Sequence, residues 1–144
     1  MTAVIKPEIE TQTKFVGTWK LVAAEGEGAL MKRLGENPVG MLVYDLAGNM
    51  AVQMMNENRA NLPVTTGHDF EQALLSYMSY FGKYELDTEA RIVTHNLIGS
   101  IQPGDVGIQL KRRYEFSGDQ LILTTMGLIA GEPLEARLVF EKWI

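Results

Sequence analysis

Apolar and polar residues alternate through most of this chain, and the alternation breaks at short clusters of Gly, Pro, Asn and Asp. This is the pattern of short strands joined by tight turns. Over residues 15–23, Phe15, Gly17, Trp19, Leu21 and Ala23 share one face, because successive side chains on a strand point to opposite sides. Further strands are predicted over residues 40–44, 49–55, 80–86, 91–99, 107–116, 120–126 and 135–143. In the strand at 49–55, Met50, Val52 and Met54 alternate with Ala51, Gln53 and Met55. Either set could point inward; the wholly apolar one is preferred. Residues 1–13 are polar and predict a flexible arm, and residues 29–34 form a short helical piece.

Between the third and fourth strands the period changes. Thr66 followed by Asp69 resembles a capping box. Phe70, Ala73, Leu74, Tyr77 and Met78 then recur at helical spacing, which predicts one amphipathic helix over 69–79. It should cover a barrel opening with Phe70, Leu74 and Tyr77 or Met78 turned inward.

Eight short strands, mostly joined by hairpins, predict an all-β fold: an antiparallel sheet closed into a barrel, one domain over residues 1–144. Symmetric turns would place Gly82 opposite His95, His95 opposite Arg112, Arg112 opposite Thr125, and Thr125 opposite Ala136. These registers put Tyr80, Tyr84, His95, Arg112, Tyr114, Thr125 and Phe140 on the inner face with the apolar residues of their strands. Several strands agreeing on one apolar face supports the register.

The arginine changes the picture. A guanidinium on an inner face keeps its charge, and leaving it buried and unpaired costs several kcal/mol. The inner positions of the last five strands offer no Asp or Glu. Its partner is then internal water, a carboxylate from the first three strands or a loop, or an anionic or carbonyl group of a ligand. His95 reads either as a satisfied core histidine or as a ligand contact; beside Arg112 it should stay neutral. Tyr80, Tyr84 and Tyr114 could orient a carbonyl or hydroxyl group, and the methionines, Met54 among them, form an adaptable apolar wall.

Charge and composition close other routes. The net charge of −5 over 144 residues, without a basic face beyond Lys111-Arg112-Arg113, sets nucleic-acid binding aside. There is no cysteine and there are only two histidines, so neither a thiolate nor a histidine-rich metal site can form, and no cofactor is expected. Gly-x-Ser-x-Gly, Walker and dinucleotide motifs are absent. The N-terminus lacks a signal-peptide pattern, and no apolar run approaches the roughly 20 residues that span a bilayer. A cytoplasmic protein without a membrane partner is the expectation. Val16, Val22, Ile122, Met126 and Val139, read as an outward apolar patch, would admit a symmetric homodimer.

Gly17-Thr18-Trp19 at the start of the first strand resembles the calycins. With MLVYDLAGNMAVQM, YFGKYELD, RIVTHNLIGS and RRYEFSGDQLIL, the chain from 15 to 143 is most similar to the bacterial and fungal lipocalin-like domain family. The resemblance implies a one-mouthed barrel around a small, largely apolar molecule, with Trp19 plugging the closed end and Lys142 standing where secreted lipocalins carry an arginine. It favours a binding module whose ligand meets Met54, Tyr80, Tyr84, His95, Arg112, Tyr114, Thr125 and Phe140. The alternative is a cofactor-free isomerase or cyclase of secondary metabolism, acting on a polyketide- or terpenoid-like substrate with His95 and Arg112 as its catalytic groups.

Overall fold

The fold is that of a computed structural model, which describes residues 7–26, 28–125, 128–129, 132–133 and 136–143. The elements run α1 (Pro7–Phe15), β1 (Gly17–Gly26), α2 (Ala29–Leu34), β2 (Val39–Tyr44), β3 (Asn49–Met55), α3 (Gly67–Leu75), β4 (Tyr77–Asp87), β5 (Ile92–Ser100), β6 (Gln109–Ser117), β7 (Gln120–Thr125), the two-residue strands β8 (Leu128–Ile129) and β9 (Glu132–Pro133), and β10 (Ala136–Lys142). Eight strands close an antiparallel barrel in the order β1-β10-β7-β6-β5-β4-β3-β2. Closure leaves no unpaired edge. Met50, Val52 and Met54 are the buried set of β3, as the apolar preference requires. None of the helices among the described residues is long and apolar enough to cross a membrane.

Two hairpin registers differ from the symmetric expectation, each by two residues. His95 pairs with Tyr84 rather than Gly82, and with Leu110 rather than Arg112, whose partner is Val93. The β4–β5 turn is centred one residue later than symmetry about residues 87–90 would have it. Asp87 accepts a hydrogen bond from the Ala90 N–H at 3.0 Å, and Arg91 takes the left-handed conformation at φ 55°. The β5–β6 loop holds a 3₁₀ turn at Pro103–Asp105, which also displaces its centre. Because strand faces repeat every two residues, a two-residue slip moves contacts along the barrel without turning any side chain outward. Arg112 still pairs with Thr125, and Thr125–Ala136 continues the Arg137–Thr124 ladder. A bulge between Phe81 and Gly82 brings the backbones so close that a β-carbon on Gly82 would meet Asn96 O at 1.8 Å.

Helices account for the other departures. The described part of the expected arm is α1, which ends in the fully buried Phe15, so this residue closes a helix instead of starting a strand. Glu8 and Glu10 in its first turn and Lys14 in its last suit the helix dipole. The Thr66–Asp69 capping box forms as expected. However, α3 stops at Leu75, and Tyr77 begins β4 by pairing with Met55. The apolar stripe read across that boundary joined a helix to a strand. Phe70 and Leu74 are consequently 60% and 54% exposed, and do not turn into the barrel, although Met78 packs against the core. The outward patch also shrinks. Val139 and Ile122 pair across the β7–β10 ladder and are buried, leaving Val22 exposed, while Met126 lies outside the described residues.

Candidate functional site

The two halves of the barrel interior differ in chemistry. At the end carrying the β2–β3, β4–β5 and β6–β7 turns, aromatic rings fill the space: Phe15 sits 5.2 Å from Tyr44, 4.9 Å from Tyr114 and 5.1 Å from Phe116, all edge-on. Trp19 lies beneath, its Nε1 donating to Phe15 O at 2.8 Å. Lys142 Nζ stands 4.2 Å from the centre of that indole ring and donates to Val16 O at 2.6 Å. Gly17, with φ 138°, leaves this ammonium its place, since a β-carbon there would come within 2.7 Å of Nζ. The plug implied by resemblance is therefore present, with lysine in the cation's position. Tyr84 belongs to this end, donating to Asp45 O at 2.7 Å.

Towards the opposite end the wall becomes apolar around a small polar cluster, His95 with Tyr80 and Arg112. His95 is fully buried, and both ring nitrogens are engaged: Tyr44 Oη lies 2.6 Å from Nε2 and Tyr80 Oη lies 2.7 Å from Nδ1. Burial, reinforced by the charge of Arg112, lowers its pKa to about 3. Burial likewise raises Tyr44 and Tyr80, while the Arg112 guanidinium, by charge and by a hydrogen bond to Tyr80, acts in the opposite sense. Arg112 also donates from Nη1 to Lys111 O at 3.2 Å. Among the described residues the one ion pair joins Arg137 to Glu25 on the surface, so no carboxylate neutralises Arg112.

Of the eight residues named as ligand contacts, the structure gathers Met54, Tyr80, His95, Arg112 and Phe140 around one small interior cavity. Tyr84 and Tyr114 instead pack with Phe15 at the aromatic end. Thr125 is in the wall, where its Oγ1 accepts from the Ala136 N–H at 2.8 Å. Sequence reasoning missed Tyr44 and Leu30. The signal for Tyr44 was available: it pairs with Met50 across the β2–β3 turn, so choosing the apolar face of β3 also chooses the inward face of β2. Neutral, with both ring nitrogens bonded to tyrosine hydroxyls, His95 keeps its one N–H engaged and has no free nitrogen to take a proton near pH 7. The arrangement can orient an acceptor group.

The cavity measures about 10 Å³ and is roofed by Leu30 of α2, space for no more than about one water. A larger hollow of about 890 Å³ opens on the outer surface between α1 and the turn after β4. Its rim mixes Glu8, Asp87, Glu89 and Glu115 with Lys14 and Arg91 around the buried Tyr114, whereas the interior cavity gathers five of the eight expected contacts, so the interior is the candidate. There α2 acts as a stopper, with Leu34 fully buried and Leu30 nearly so. Arg33 fastens it: Nε donates to Leu75 O at 2.7 Å and Nη2 to Tyr77 O at 3.0 Å. With the Gln102 amide oriented to satisfy both neighbours, Nη1 donates to its oxygen at 2.8 Å.

The lipocalin-like domain family matches residues 16–143 of this chain. No curated protein matches it by sequence. Solved structures similar to it include a lipocalin-like protein from Bacteroides uniformis, 14% identical, covering 90% of this chain and 99% of that one at a TM-score of 0.48. The tryptamine complex of the amine binding protein of Rhodnius prolixus is 10% identical, covering 98% of this chain and 69% of that one at a TM-score of 0.47.

Proposed function

The chain belongs to the lipocalin-like domain family, and we propose that its barrel binds a small, largely hydrophobic molecule, whose polar group meets Arg112 and Tyr80. One observation carries this reading: an arginine without a carboxylate partner among the described residues lines a largely apolar cavity beside a buried His–Tyr pair. Apolar walls supply affinity in proportion to the area they take from water, about 25 cal/mol per Å². The few polar groups set orientation. Arg112 engages the ligand's polar group directly, and His95 contributes through Tyr80.

Binding requires the stopper to leave. Small-molecule sites generally measure roughly 300–1,000 Å³, against about 10 Å³ here with α2 in place. Withdrawing Leu30 and Leu34 vacates the upper barrel. Arg33→Ala removes three donors from the fastening of α2, each worth about 0.5–1.5 kcal/mol or somewhat more for a charged donor. The variant should take up 1-anilinonaphthalene-8-sulfonate about tenfold faster or more in stopped-flow fluorescence, as the open population rises by the same factor. An unchanged association rate would mean that access lies elsewhere.

Arg112→Met tests the site itself. Arg112 is half-buried and, among the described residues, meets the Lys111 carbonyl and the Tyr80 hydroxyl but no carboxylate, so its loss should leave thermal stability unchanged or slightly raised. Affinity for the same anionic probe should fall by about 1.5–3 kcal/mol, the worth of a charge-assisted hydrogen bond. Titration calorimetry showing equal affinity in the two proteins would remove Arg112 from the site. Destabilisation by several kcal/mol without ligand would make the arginine a structural member of the wall.

A further inference from the structure

The hydrogen atoms along Tyr44–His95–Tyr80 have a direction, and it bears on the class of ligand the barrel takes. Neutral imidazole carries one N–H and one lone pair, so one tyrosine must donate to the ring while the other accepts from it. The hydroxyl that accepts keeps its own hydrogen for a further partner. Tyr44 is almost fully buried, packed edge-on against Phe15 and Tyr84 at 5.2 and 4.8 Å, and its hydroxyl bonds only His95 among the described residues. If it accepted from Nε2–H, its hydrogen would be stranded in an aromatic wall, at the cost of an unmade buried hydrogen bond. Tyr80 is placed differently. It lines the cavity beside Arg112, where a water or a ligand atom can meet its hydrogen.

Resting on the binding reading above, we infer that the chain runs Tyr44 O–H to Nε2, then Nδ1–H to the Tyr80 oxygen, and ends in a Tyr80 O–H aimed into the cavity. His95 is thus a positioning residue, held as the Nδ1–H tautomer by Tyr44. The cavity then presents two neighbouring donors, the Tyr80 hydroxyl and those N–H groups of the Arg112 guanidinium that its contact with the Tyr80 oxygen leaves over, with no carboxylate in the described lining. Such a site takes an apolar molecule bearing a carbonyl or carboxylate oxygen. It rejects ammonium and other donor-only head groups, which would leave both donors unpaired and set like charges together.

Nitrogen-15 spectra of the uniformly labelled protein at pH 7 read the tautomer directly. The inference requires a protonated Nδ1 and an unprotonated Nε2 for His95; the opposite assignment overturns it. Binding supplies the second arm, with 1-anilinonaphthalene-8-sulfonate as acceptor-bearing probe and N-phenyl-1-naphthylamine as its counterpart without the sulfonate. In Tyr80→Phe, which keeps Arg112, affinity for the sulfonate should fall about three- to tenfold, the loss of one neutral donor. Affinity for the amine should stay within about twofold, which also shows the variant to be folded. Equal changes for both probes would overturn the donor role of Tyr80. If the wild-type barrel holds neither probe, the binding reading itself fails, whereas a wrong tautomer or an insensitive Tyr80→Phe, with both probes bound, condemns only the directed chain.

Discussion

Trp19→Ala is expected to remove about 3–5 kcal/mol of folding stability, as large aromatic truncations in cores do. Several contacts would go together. The indole is buried against Phe116, donates to Phe15 O, and lies under the Lys142 ammonium. Its hydrogen bond also reaches the last residue of α1, so the change loosens the helix that caps the aromatic end as well as the plug. Domains of this size hold only about 5–15 kcal/mol in total, which makes the loss visible as a shift in urea midpoint. Lys142 adds a discriminating measurement. Its Nζ is held by the ring face and Val16 O, and cation–π contacts contribute about 0.5–2 kcal/mol. In a double-mutant cycle, Lys142→Ala should therefore cost less once Trp19 is gone, with a coupling energy of at least about 0.5 kcal/mol. Strict additivity would mean that ring and cation merely sit side by side, and a cost below about 1 kcal/mol for Trp19→Ala would mean that the plug is not structural.

The alternation of strand residues made the barrel legible, because inside and outside repeat every two residues whatever the turns do. This is why His95, Arg112 and Tyr80 face inward although two hairpins are slipped by two residues. What alternation does not set is the height of a side chain along the barrel. Height depends on turns: the Asp87 carboxylate accepting from Ala90, Arg91 in the left-handed region, a 3₁₀ turn at Pro103–Asp105. Those details moved His95 level with Tyr84 instead of Gly82 in the β4–β5 ladder. Tyr84 and Tyr114, inward by parity, fell into the aromatic cluster around Phe15 for a related reason. No strand pattern shows that α1 delivers a phenyl ring between them. The helices were the least legible part. α1 presents acidic residues first and a lysine last, yet among its described side chains the one fully buried apolar group is Phe15 at its end, so no periodic stripe marks it. α3 was given a stripe that half belongs to β4. The short piece at Ala29–Leu34 was read correctly as helical, but only three-dimensional placement shows its leucines stopping the barrel.

Acid should destabilise this protein through His95 before it reaches the carboxylates. The imidazole is buried neutral with a pKa of about 3, whereas in the unfolded chain it titrates near 6.5. Between those values the unfolded state binds a proton that the folded state refuses. Stability must therefore fall as pH drops through this window, with a slope approaching about 1.4 kcal/mol per pH unit. Above pH 6.5 the contribution is fully present; it is lost progressively towards pH 3. Asp45 and Asp69 also have lowered pKa values, through hydrogen bonds from Asn49 and from Thr65 respectively. Their effect belongs to more acidic solution, below the ordinary carboxylate pKa of about 3.9, and leaves pH 4.5–6.5 to the histidine. Across those two units urea titrations should show a loss of about 2–3 kcal/mol. His95→Gln is the control, since an amide can still donate to one tyrosine and accept from the other but cannot bind a proton. The variant should start less stable at pH 7, because Gln does not reproduce the ring's packing, and then run nearly flat to pH 4.5 so that the two curves converge. Parallel curves would show that His95 accepts a proton in the folded barrel, and the neutral, doubly bonded ring on which the site depends would have to be given up.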